Sequence, residues 1–313
     1  MCHSSTVNRS AGSSFSSLRA SVVLPEQGSP TIKWRVAIPP VASAAAGGAA
    51  TPARAYSRAV KILRLTTSND VVQAGPGSRV DWIQRLAAGR FGEPVEIVVK
   101  PVWPDSRLPA AAERWIAQEQ PDIVWMLVQS FWYEYLSVPK KLERRFGRVG
   151  KAASTAGFRA ADVPWLSRNA LFRGGRRLLQ CAVGGDPHFG VTALYEAVEG
   201  VARASLRDEG RQFVAWGPFS YTSYAYTEGQ ERAALAWRSD LIRRIRALSD
   251  ELHFLFEAPD KPYWQTESAM TMHSDHFHFA MEEQKRLAER EVEALAGIWD
   301  LQRKEPLEES IQG

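Results

Sequence analysis

The stretch Asp122-Ile123-Val124-Trp125-Met126-Leu127-Val128 decides the fold, because it is apolar at almost every position. A short run without polar alternation is typical of a strand that is buried on both faces of a parallel sheet. Two further apolar runs precede it, at residues 60–65 and 95–99, and two follow it, at residues 212–216 and 252–256. The chain therefore contains five candidate strands.

Helical patterns separate these strands. Apolar residues recur at helical spacing in residues 80–87, 110–118, 191–207, 231–248 and 281–299. Strands that alternate with helices predict an α/β fold, in which a five-stranded parallel sheet is covered by helices on both faces. Residues 138–186 interrupt this pattern as an irregular, arginine-rich region with helical pieces, and this region is long enough to form a lid.

The N-terminal stretch differs from the rest of the chain in composition and charge. The chain of 313 residues has 39 basic and 35 acidic residues. Six basic residues and one acidic residue lie in residues 1–58, so residues 59–313 contain 33 basic and 34 acidic residues. The nearly balanced charge of residues 59–313 gives no general electrostatic reason to expect nucleic acid as a partner. Residues 1–58 are rich in Ser, Ala, Gly and Pro, which predicts a disordered tail.

We therefore predict one domain at residues 59–300, between this tail and a C-terminal tail at residues 301–313. Residues 1–58 also have the Arg- and Ser-rich, acid-poor composition of an organellar targeting segment, or they reflect an overlong predicted start. No stretch is apolar for long enough to span a bilayer. These features fix neither compartment nor oligomeric state; among compartments, the cytoplasm is slightly favoured.

Polar and aromatic residues follow the predicted strands. Ser68 comes after the first strand, Trp103 after the second, and Gln129, Ser130 and Trp132 after the third. The carboxyl ends of parallel strands meet at one edge of a sheet, where binding sites of open α/β folds form. The sequence therefore predicts a functional site at this edge.

The segment after the fifth strand supplies an acid–base pair, Asp275-x-x-His278. A carboxylate that accepts the Nδ1–H of an imidazole fixes its tautomer and stabilises the imidazolium that forms when Nε2 takes a proton. Such a pair can activate a serine hydroxyl, and Ser68 at the end of the first strand is the best candidate. The three residues are predicted to form a catalytic triad.

Other roles are open for the same residues. Serines after strands often shape turns, and Asp275 could cap a helix beside a histidine that serves only packing. His273, Asp275, His276 and His278 could also bind a metal, with Asp186 or His188 contributing across space. We predict no metal site, because a single loop rarely presents so many ligands and no second cluster is evident. A Gly-rich phosphate loop is missing after the first strand, which disfavours nucleotide binding.

The block around Ser68, the Trp216-Gly217-Pro218 run and Asp275-x-x-His278 before the final helix together resemble the SGNH (GDSL-type) hydrolase family over about residues 60–300. The resemblance implies a flavodoxin-like three-layer sandwich. It also implies a hydrolase that needs no cofactor: Ser68 would attack an ester carbonyl, His278 would serve as base and then acid, and Asp275 would orient His278. The expected substrates are small-molecule esters, such as acetylated carbohydrates or short acyl esters.

The sequence departs from this family at the oxyanion hole. Thr66-Thr67 replaces the Gly-Asp before the serine, no glycine occurs in residues 100–106, and Gln129-Ser130 stands where the family has an asparagine. Gln129 or Ser130 could supply a donor, while Trp103 and Trp132 are candidates for substrate contact. Loss of one oxyanion donor typically costs about 10²–10³ in rate. The alternative prediction is therefore a catalytically lapsed, SGNH-like binding protein.

Overall fold

We describe the fold from a computed structural model of the chain. The structure describes residues 32–34, 59–67, 70, 75–134, 136–161, 170–219, 227–258 and 281–304. Ser68, Asp275 and His278 lie outside the described residues.

The described strands form one six-stranded sheet in the order β1-β3-β2-β4-β5-β6. Strands β2 to β6 are all parallel, which confirms the prediction of an α/β fold with a five-stranded parallel sheet. Counted along the chain, these five strands have the spatial order 2-1-3-4-5 of flavodoxin-like folds. The strands are β1 (Ile32–Trp34), β2 (Val60–Thr66), β3 (Val95–Pro101), β4 (Ile123–Gln129), β5 (Gln212–Phe219) and β6 (Leu255–Glu257).

Strand β1 was not predicted, since it lies within the stretch expected to be disordered. It pairs antiparallel with β3, with Ile32 opposite Val99 and Trp34 opposite Ile97. Three residues are too few to show alternation in the sequence, so the sheet carries one more strand than the five predicted. The other residues of 1–58 lie outside the described residues, and the boundaries of the domain stay a prediction.

Seven helices accompany the sheet in the described part of the chain. Helices α1 and α7 pack together on one face, while α2, α5 and α6 form a connected layer on the other. The helices are α1 (Arg79–Phe91), α2 (Leu108–Glu119), α3 (Val138–Ala161), α4 (Ala170–Val183), α5 (Val191–Ser205), α6 (Glu228–Leu252) and α7 (Met281–Lys304).

The two faces of β4 explain its continuous apolar sequence. Val124, Met126 and Val128 enter the core beneath α2, α5 and α6. The alternate residues Ile123, Trp125 and Leu127 enter the core beneath α1 and α7. Every residue of β4 is buried, because successive side chains of a strand point to opposite faces and both faces are covered.

The fifth parallel strand begins later than the sequence predicted. Helix α6 starts at a capping box in which the Thr227 hydroxyl accepts from the Gln230 backbone N–H, and it continues to Leu252. His253 then adopts a left-handed conformation at φ 55° and ends the helix, so the strand starts at Leu255 instead of Leu252. The apolar run at residues 252–256 therefore spans a helix end and a strand, which apolar character alone does not distinguish.

The region predicted to be irregular contains two helices, α3 and α4. A bend at Gly147, where φ is 54° and ψ is −125°, interrupts α3. The region leaves and rejoins the domain at one place, since Ser137 and Asp186 form an antiparallel backbone bridge. None of the helices in the described ranges is long and apolar enough to cross a membrane.

Candidate active site at the carboxyl edge of the sheet

The carboxyl ends of the parallel strands define the candidate site. Thr66 at the end of β2 is in register with Pro101 at the end of β3, and Gln129 at the end of β4 is in register with Phe219 of β5. A backbone hydrogen bond of 2.7 Å from Val102 to Thr66 continues the pairing just beyond the strands. Residues that follow these strands therefore leave the sheet at a common edge.

Two hydrogen bonds join the described residues before and after positions 68 and 69. The Thr66 hydroxyl donates to Asp70 Oδ2 over 2.7 Å, and the Asp70 backbone N–H donates to the Thr67 carbonyl over 3.3 Å. Both Thr66 and Asp70 are buried. Thr67 and Asp70, which flank residues 68–69 in the sequence, are therefore held together at the end of β2.

Asp70 belongs to a buried network of four charged side chains. Arg64 Nε lies 2.7 Å from Asp70 Oδ2, and Arg79 Nη2 lies 2.7 Å from Asp70 Oδ1. Glu291 completes the network, with its carboxylate oxygens 2.8 Å from Arg64 Nη2 and 3.5 Å from Arg79 Nη1. Two guanidinium groups thus face two carboxylates, and none of the four side chains is more than 2% exposed. We name these four residues the buried ion cluster.

The cluster keeps Asp70 ionised. Burial raises the pKa of its carboxyl group, but the nearby charges of Arg64 and Arg79, with hydrogen bonds from Arg64 and Thr66, outweigh burial and lower the pKa to about 2. The Arg64 guanidinium also stacks 4.5 Å from the ring centroid of Trp125. A negative charge on Asp70 is therefore compensated at neutral pH, although it is buried.

The same cluster brings the start of α7 to the edge of the sheet. Gln284, in the first turn of α7, accepts a hydrogen bond of 2.8 Å from the backbone N–H of Arg79, the first residue of α1. Glu291 lies about two turns further along α7 and contacts Arg64 of β2. The helix that follows the Asp275–His278 segment is thus fixed beside the end of β2.

Aromatic side chains form a second cluster beyond β3 and β4. The Trp103 ring lies 6.3 Å from Phe131, 5.4 Å from His188 and 5.3 Å from Phe189, measured between centroids. Phe131 and His188 are themselves 4.9 Å apart. The Phe189 backbone N–H donates to the Trp132 carbonyl over 2.9 Å, which attaches the loop before α5 to the turn after β4.

His188 is held neutral in this aromatic cluster. Its burial, followed by the positive charges of Lys140 and Arg144, lowers the pKa of the imidazole from 6.5 to about 4. Lys140 and Arg144 belong to α3, so the charge of that helix acts on the loop beside the candidate site. His188 therefore contributes a neutral ring at physiological pH.

The four oxyanion and substrate candidates occupy different environments. Gln129 ends β4 and is only 7% exposed, while Ser130 begins the 3₁₀ turn Ser130–Trp132. Trp132 is fully buried in the core beneath α2, α5 and α6, and a fully buried ring has no face open to a substrate. Trp103 remains partly exposed and packs at the border of that core.

A further buried polar group lies beyond β4 and β5. The Tyr133 hydroxyl donates to Glu134 over 3.5 Å, and both side chains are fully buried. Burial and the Glu134 carboxylate raise the pKa of Tyr133 well above 10, against the opposing effect of the Arg238 charge. Arg238 of α6 also donates to the Pro218 carbonyl of β5 over 3.3 Å. These contacts fix α6 to the same edge of the sheet.

The two candidate metal ligands that the structure describes, Asp186 and His188, have different contacts. Asp186 pairs with Arg144 over 3.2 Å, whereas His188 packs in the aromatic cluster. Within the described ranges, no three His, Cys, Asp or Glu side chains are grouped to hold a metal ion. His273, Asp275, His276 and His278 lie outside these ranges.

Sequence reasoning did not find the buried ion cluster. It gave no role to Arg64, Arg79 or Glu291. One signal was present, because Arg64 interrupts the apolar run Ile62-Leu63-Arg64-Leu65 in a strand that is buried on both faces. A charge at such a position requires a buried partner, but the pattern does not say which residue supplies it.

Comparison with known proteins identifies similar folds. No family model matches the chain, and no curated protein matches it in sequence. Similar solved structures include a catalytic mutant of Axe2, an acetylxylan esterase from Geobacillus stearothermophilus, at 12% identity, with 75% of this chain and 93% of that chain covered and a TM-score of 0.44. The esterase EstA from Pseudoalteromonas sp. is 8% identical, with 77% and 98% covered and a TM-score of 0.42.

A third similar structure is a protein from Desulfitobacterium hafniense described as lipolytic and of the G-D-S-L family. It is 10% identical, with 75% of this chain and 99% of that chain covered and a TM-score of 0.43. The G-D-S-L family named for that protein is the one that the sequence resembles. The class that the structure itself defines is a flavodoxin-like α/β domain.

Proposed function

We propose that this chain is a divergent SGNH-type serine hydrolase that cleaves carboxylic esters. In this proposal, Ser68 is the nucleophile, His278 is the general base and acid, and Asp275 orients His278. Residues 59–300 form the hydrolase domain. The site lies at the carboxyl edge of the sheet, between the end of β2 and the start of α7.

The observation that carries the proposal is the connection of these two places through Asp70, Arg79 and Gln284. Asp70 binds the Arg79 side chain over 2.7 Å, and the Arg79 backbone N–H binds Gln284 over 2.8 Å. Ser68 is two residues from Asp70 in sequence, and His278 is three residues from the first residue of α7. An extended chain spans at most about 3.6 Å per residue, so the Cα atom of His278 is at most roughly 11 Å from the Cα atom of Met281.

The proposed reaction proceeds in two steps. His278 takes the proton of the Ser68 hydroxyl while the Ser68 oxygen attacks the acyl carbon, and the protonated His278 then gives that proton to the departing alcohol. Water repeats the sequence on the acyl-enzyme and releases the acid and the free serine. Asp275 accepts the Nδ1–H of His278 throughout, and no cofactor or metal takes part.

The developing oxyanion needs hydrogen-bond donors. In the proposal, the backbone N–H of Ser68 supplies one donor, and Gln129 or Ser130 at the end of β4 supplies another. Trp103 is the aromatic candidate that remains partly exposed, and it borders the site from the end of β3. We propose short acyl esters, including acetylated carbohydrates, as substrates, with the partly exposed ring of Trp103 as the aromatic contact.

The test is hydrolysis of p-nitrophenyl acetate by the full chain and by Ser68→Ala, His278→Ala and Asp275→Asn variants. We expect each variant to lose activity, by an amount on the order of 10⁴-fold for Asp275→Asn, which leaves the imidazole in the wrong tautomer. A chelator should leave the rate unchanged. Thermal unfolding of each variant serves as the control for folding. Full activity in Ser68→Ala would contradict the proposal, and a loss with chelator alone would favour metal chemistry.

A second candidate function is ligand binding without turnover. The departures at the oxyanion hole motivate it, as does the burial of Gln129, which is only 7% exposed at the end of β4. Calorimetry with acetylated xylo-oligosaccharides distinguishes the two functions. Saturable binding by a protein that hydrolyses neither these sugars nor p-nitrophenyl acetate would favour the lapsed binding protein, while Ser68-dependent turnover would exclude it.

A further inference from the structure

Helices α3 and α4 expose large apolar side chains to solvent. Leu171 is 85% exposed, Val149 76%, Leu178 72%, Phe146 55% and Leu179 47%. Within the described part of the chain, the large apolar side chains with such exposure all belong to these two helices. A group of exposed apolar residues of this kind marks an interaction surface more often than isolated ones do.

The outward face of α4 has no charged residue at its described positions. Its exposed residues recur at spacings of three and four, so they form one stripe along the helix. They are Leu171, Gly174, Gly175, Leu178, Leu179 and Ala182. The described exposed residues of α4 are all leucine, glycine or alanine, which is unusual in water because the polar face of a helix normally faces solvent.

The same two helices carry a strong positive charge. Their sequences hold ten lysines and arginines, seven in α3 and three in α4, against one acid, Glu143. Residues 59–313 as a whole are nearly balanced, with 33 basic and 34 acidic residues. The positive charge is therefore concentrated on α3 and α4, and acids exceed bases in the remainder of the domain.

We propose that α3 and α4 bind to the surface of an anionic lipid bilayer. We name the exposed residues Phe146, Val149, Leu171, Leu178 and Leu179, with the exposed basic residues Arg144, Arg145 and Arg148 of α3, the α3–α4 face. Apolar side chains on a helix rich in lysine and arginine enter the boundary between headgroups and acyl chains, while the cations attract anionic headgroups.

The charge of the α3–α4 face favours this occupant over a second copy of the chain. Two such faces brought together would oppose Arg144, Arg145 and Arg148 of one copy with the same exposed cations of the other copy, so they repel. An anionic bilayer instead offers negative charge and an apolar interior at the same place. The helices would lie on the membrane and not span it, since neither is long and apolar enough to cross.

Vesicle flotation tests the proposal and does not depend on hydrolysis. The full chain is mixed with vesicles of equal parts phosphatidylglycerol and phosphatidylcholine, or with vesicles of phosphatidylcholine alone. We expect the protein to float with the anionic vesicles only. The double variant Leu171→Glu/Leu178→Glu should bind at least about tenfold more weakly, because it places carboxylates in the stripe that enters the bilayer.

Two further variants separate the apolar and electrostatic contributions. Ala117→Glu/Ala193→Glu adds the same two charges at exposed positions of α2 and α5 and should bind as the unaltered chain does. Arg145→Gln/Arg148→Gln removes two exposed cations from α3 and should weaken binding to anionic vesicles, with a smaller dependence on salt.

Three outcomes would overturn the proposal. They are failure of the unaltered chain to float with anionic vesicles, equal binding by the Leu171→Glu/Leu178→Glu variant, and equal binding to phosphatidylcholine alone. Light scattering is measured on the same samples. Self-association that Leu171→Glu/Leu178→Glu abolishes, without vesicle binding by the unaltered chain, would assign the α3–α4 face to an interface between copies.

Discussion

Arg64 shows how one residue can determine the surroundings of a site. It occupies a fully buried position in β2, so its charge must be compensated inside the protein. Asp70 and Glu291 provide that compensation from the turn after β2 and from the last helix. The Arg64 guanidinium group thereby connects β2, which precedes the proposed nucleophile Ser68, with α7, which follows the proposed base His278.

Replacement of Asp70 tests this residue directly. Asp70→Asn keeps the size of the side chain but removes one of the two carboxylates of the buried ion cluster. We expect the free energy of unfolding to fall by about 3–5 kcal/mol, as for other buried ion pairs that lose one partner. Urea denaturation at neutral pH measures the change.

Asp240→Asn is the matched control. Asp240 pairs with Arg243 and Arg244 on the outer side of α6, where solvent reaches all three side chains. We expect little change in stability, because exposed ion pairs contribute little. Equal effects of the two substitutions would contradict the role assigned to the buried ion cluster.

His188 predicts a dependence of stability on pH. Its pKa is about 4 in the folded protein and 6.5 as its ordinary value, so the unfolded chain takes up the proton first as pH falls. The stability that His188 contributes should be complete above pH 6.5 and decline between pH 6.5 and 4. The decline should not exceed about 1.4 kcal/mol per pH unit, the limit for one proton.

His188→Phe isolates this contribution, because phenylalanine keeps a ring against Trp103 and Phe131 but does not titrate. Urea midpoints from pH 7 to 4 should fall less steeply for the variant than for the unaltered chain. Parallel curves for the two proteins would show that His188 is not responsible.

At the scale of elements, the contact between α2 and α5 depends on a missing side chain. Gly200 of α5 faces Pro109 of α2 so closely that a Cβ at residue 200 would lie 2.5 Å from Pro109 Cγ and 2.8 Å from its Cβ. The proline ring cannot rotate away as a flexible side chain could. The spacing of these two helices, which cover the core beneath the sheet, is therefore set by glycine.

We expect Gly200→Ala to destabilise the protein by about 1–3 kcal/mol, because the helices must separate. Gly297→Ala is the matched control within α7, where a Cβ would meet nothing within 4 Å. That substitution should stabilise the helix by about 0.5–1 kcal/mol, since alanine loses less conformational entropy than glycine. Thermal unfolding measures both, and changes of the same sign would refute the close contact.

At the scale of the whole molecule, β1 closes one edge of the sheet. Without Ile32–Trp34, β3 would become the edge strand and would expose backbone groups that now pair. A chain that begins at residue 59 should therefore have a free energy of unfolding lower by about 1 kcal/mol or more than a chain that begins at residue 30. Its urea denaturation midpoint should be lower accordingly. Light scattering should also detect more self-association in the shorter chain. Identical behaviour of the two chains would show that β1 does not contribute to stability.

The candidate site was predicted from sequence only as a location. Ser68, Trp103 and Gln129 follow strands, so the parallel arrangement alone directs them to one edge. Trp132 follows β4, as Gln129 does in the predicted strand order, yet it lies in a 3₁₀ turn and its ring is buried in the core. A sequence gives the order of residues after a strand, but the turn geometry decides which of them face the site.

The sequence by itself determined the elements and their class. The uninterrupted apolar runs require strands covered on both faces, and the helical spacing between them requires parallel crossovers, so five parallel strands with helices on both sides follow from local pattern. Only the tertiary structure decided which charges meet. Arg64 and Glu291 are 227 positions apart and contact over 2.8 Å, and no local pattern contains that pairing. Which charged residues form ion pairs depends on how the packed layers bring distant segments together. Whether a segment forms a strand or a helix depends mainly on the pattern of its neighbouring residues.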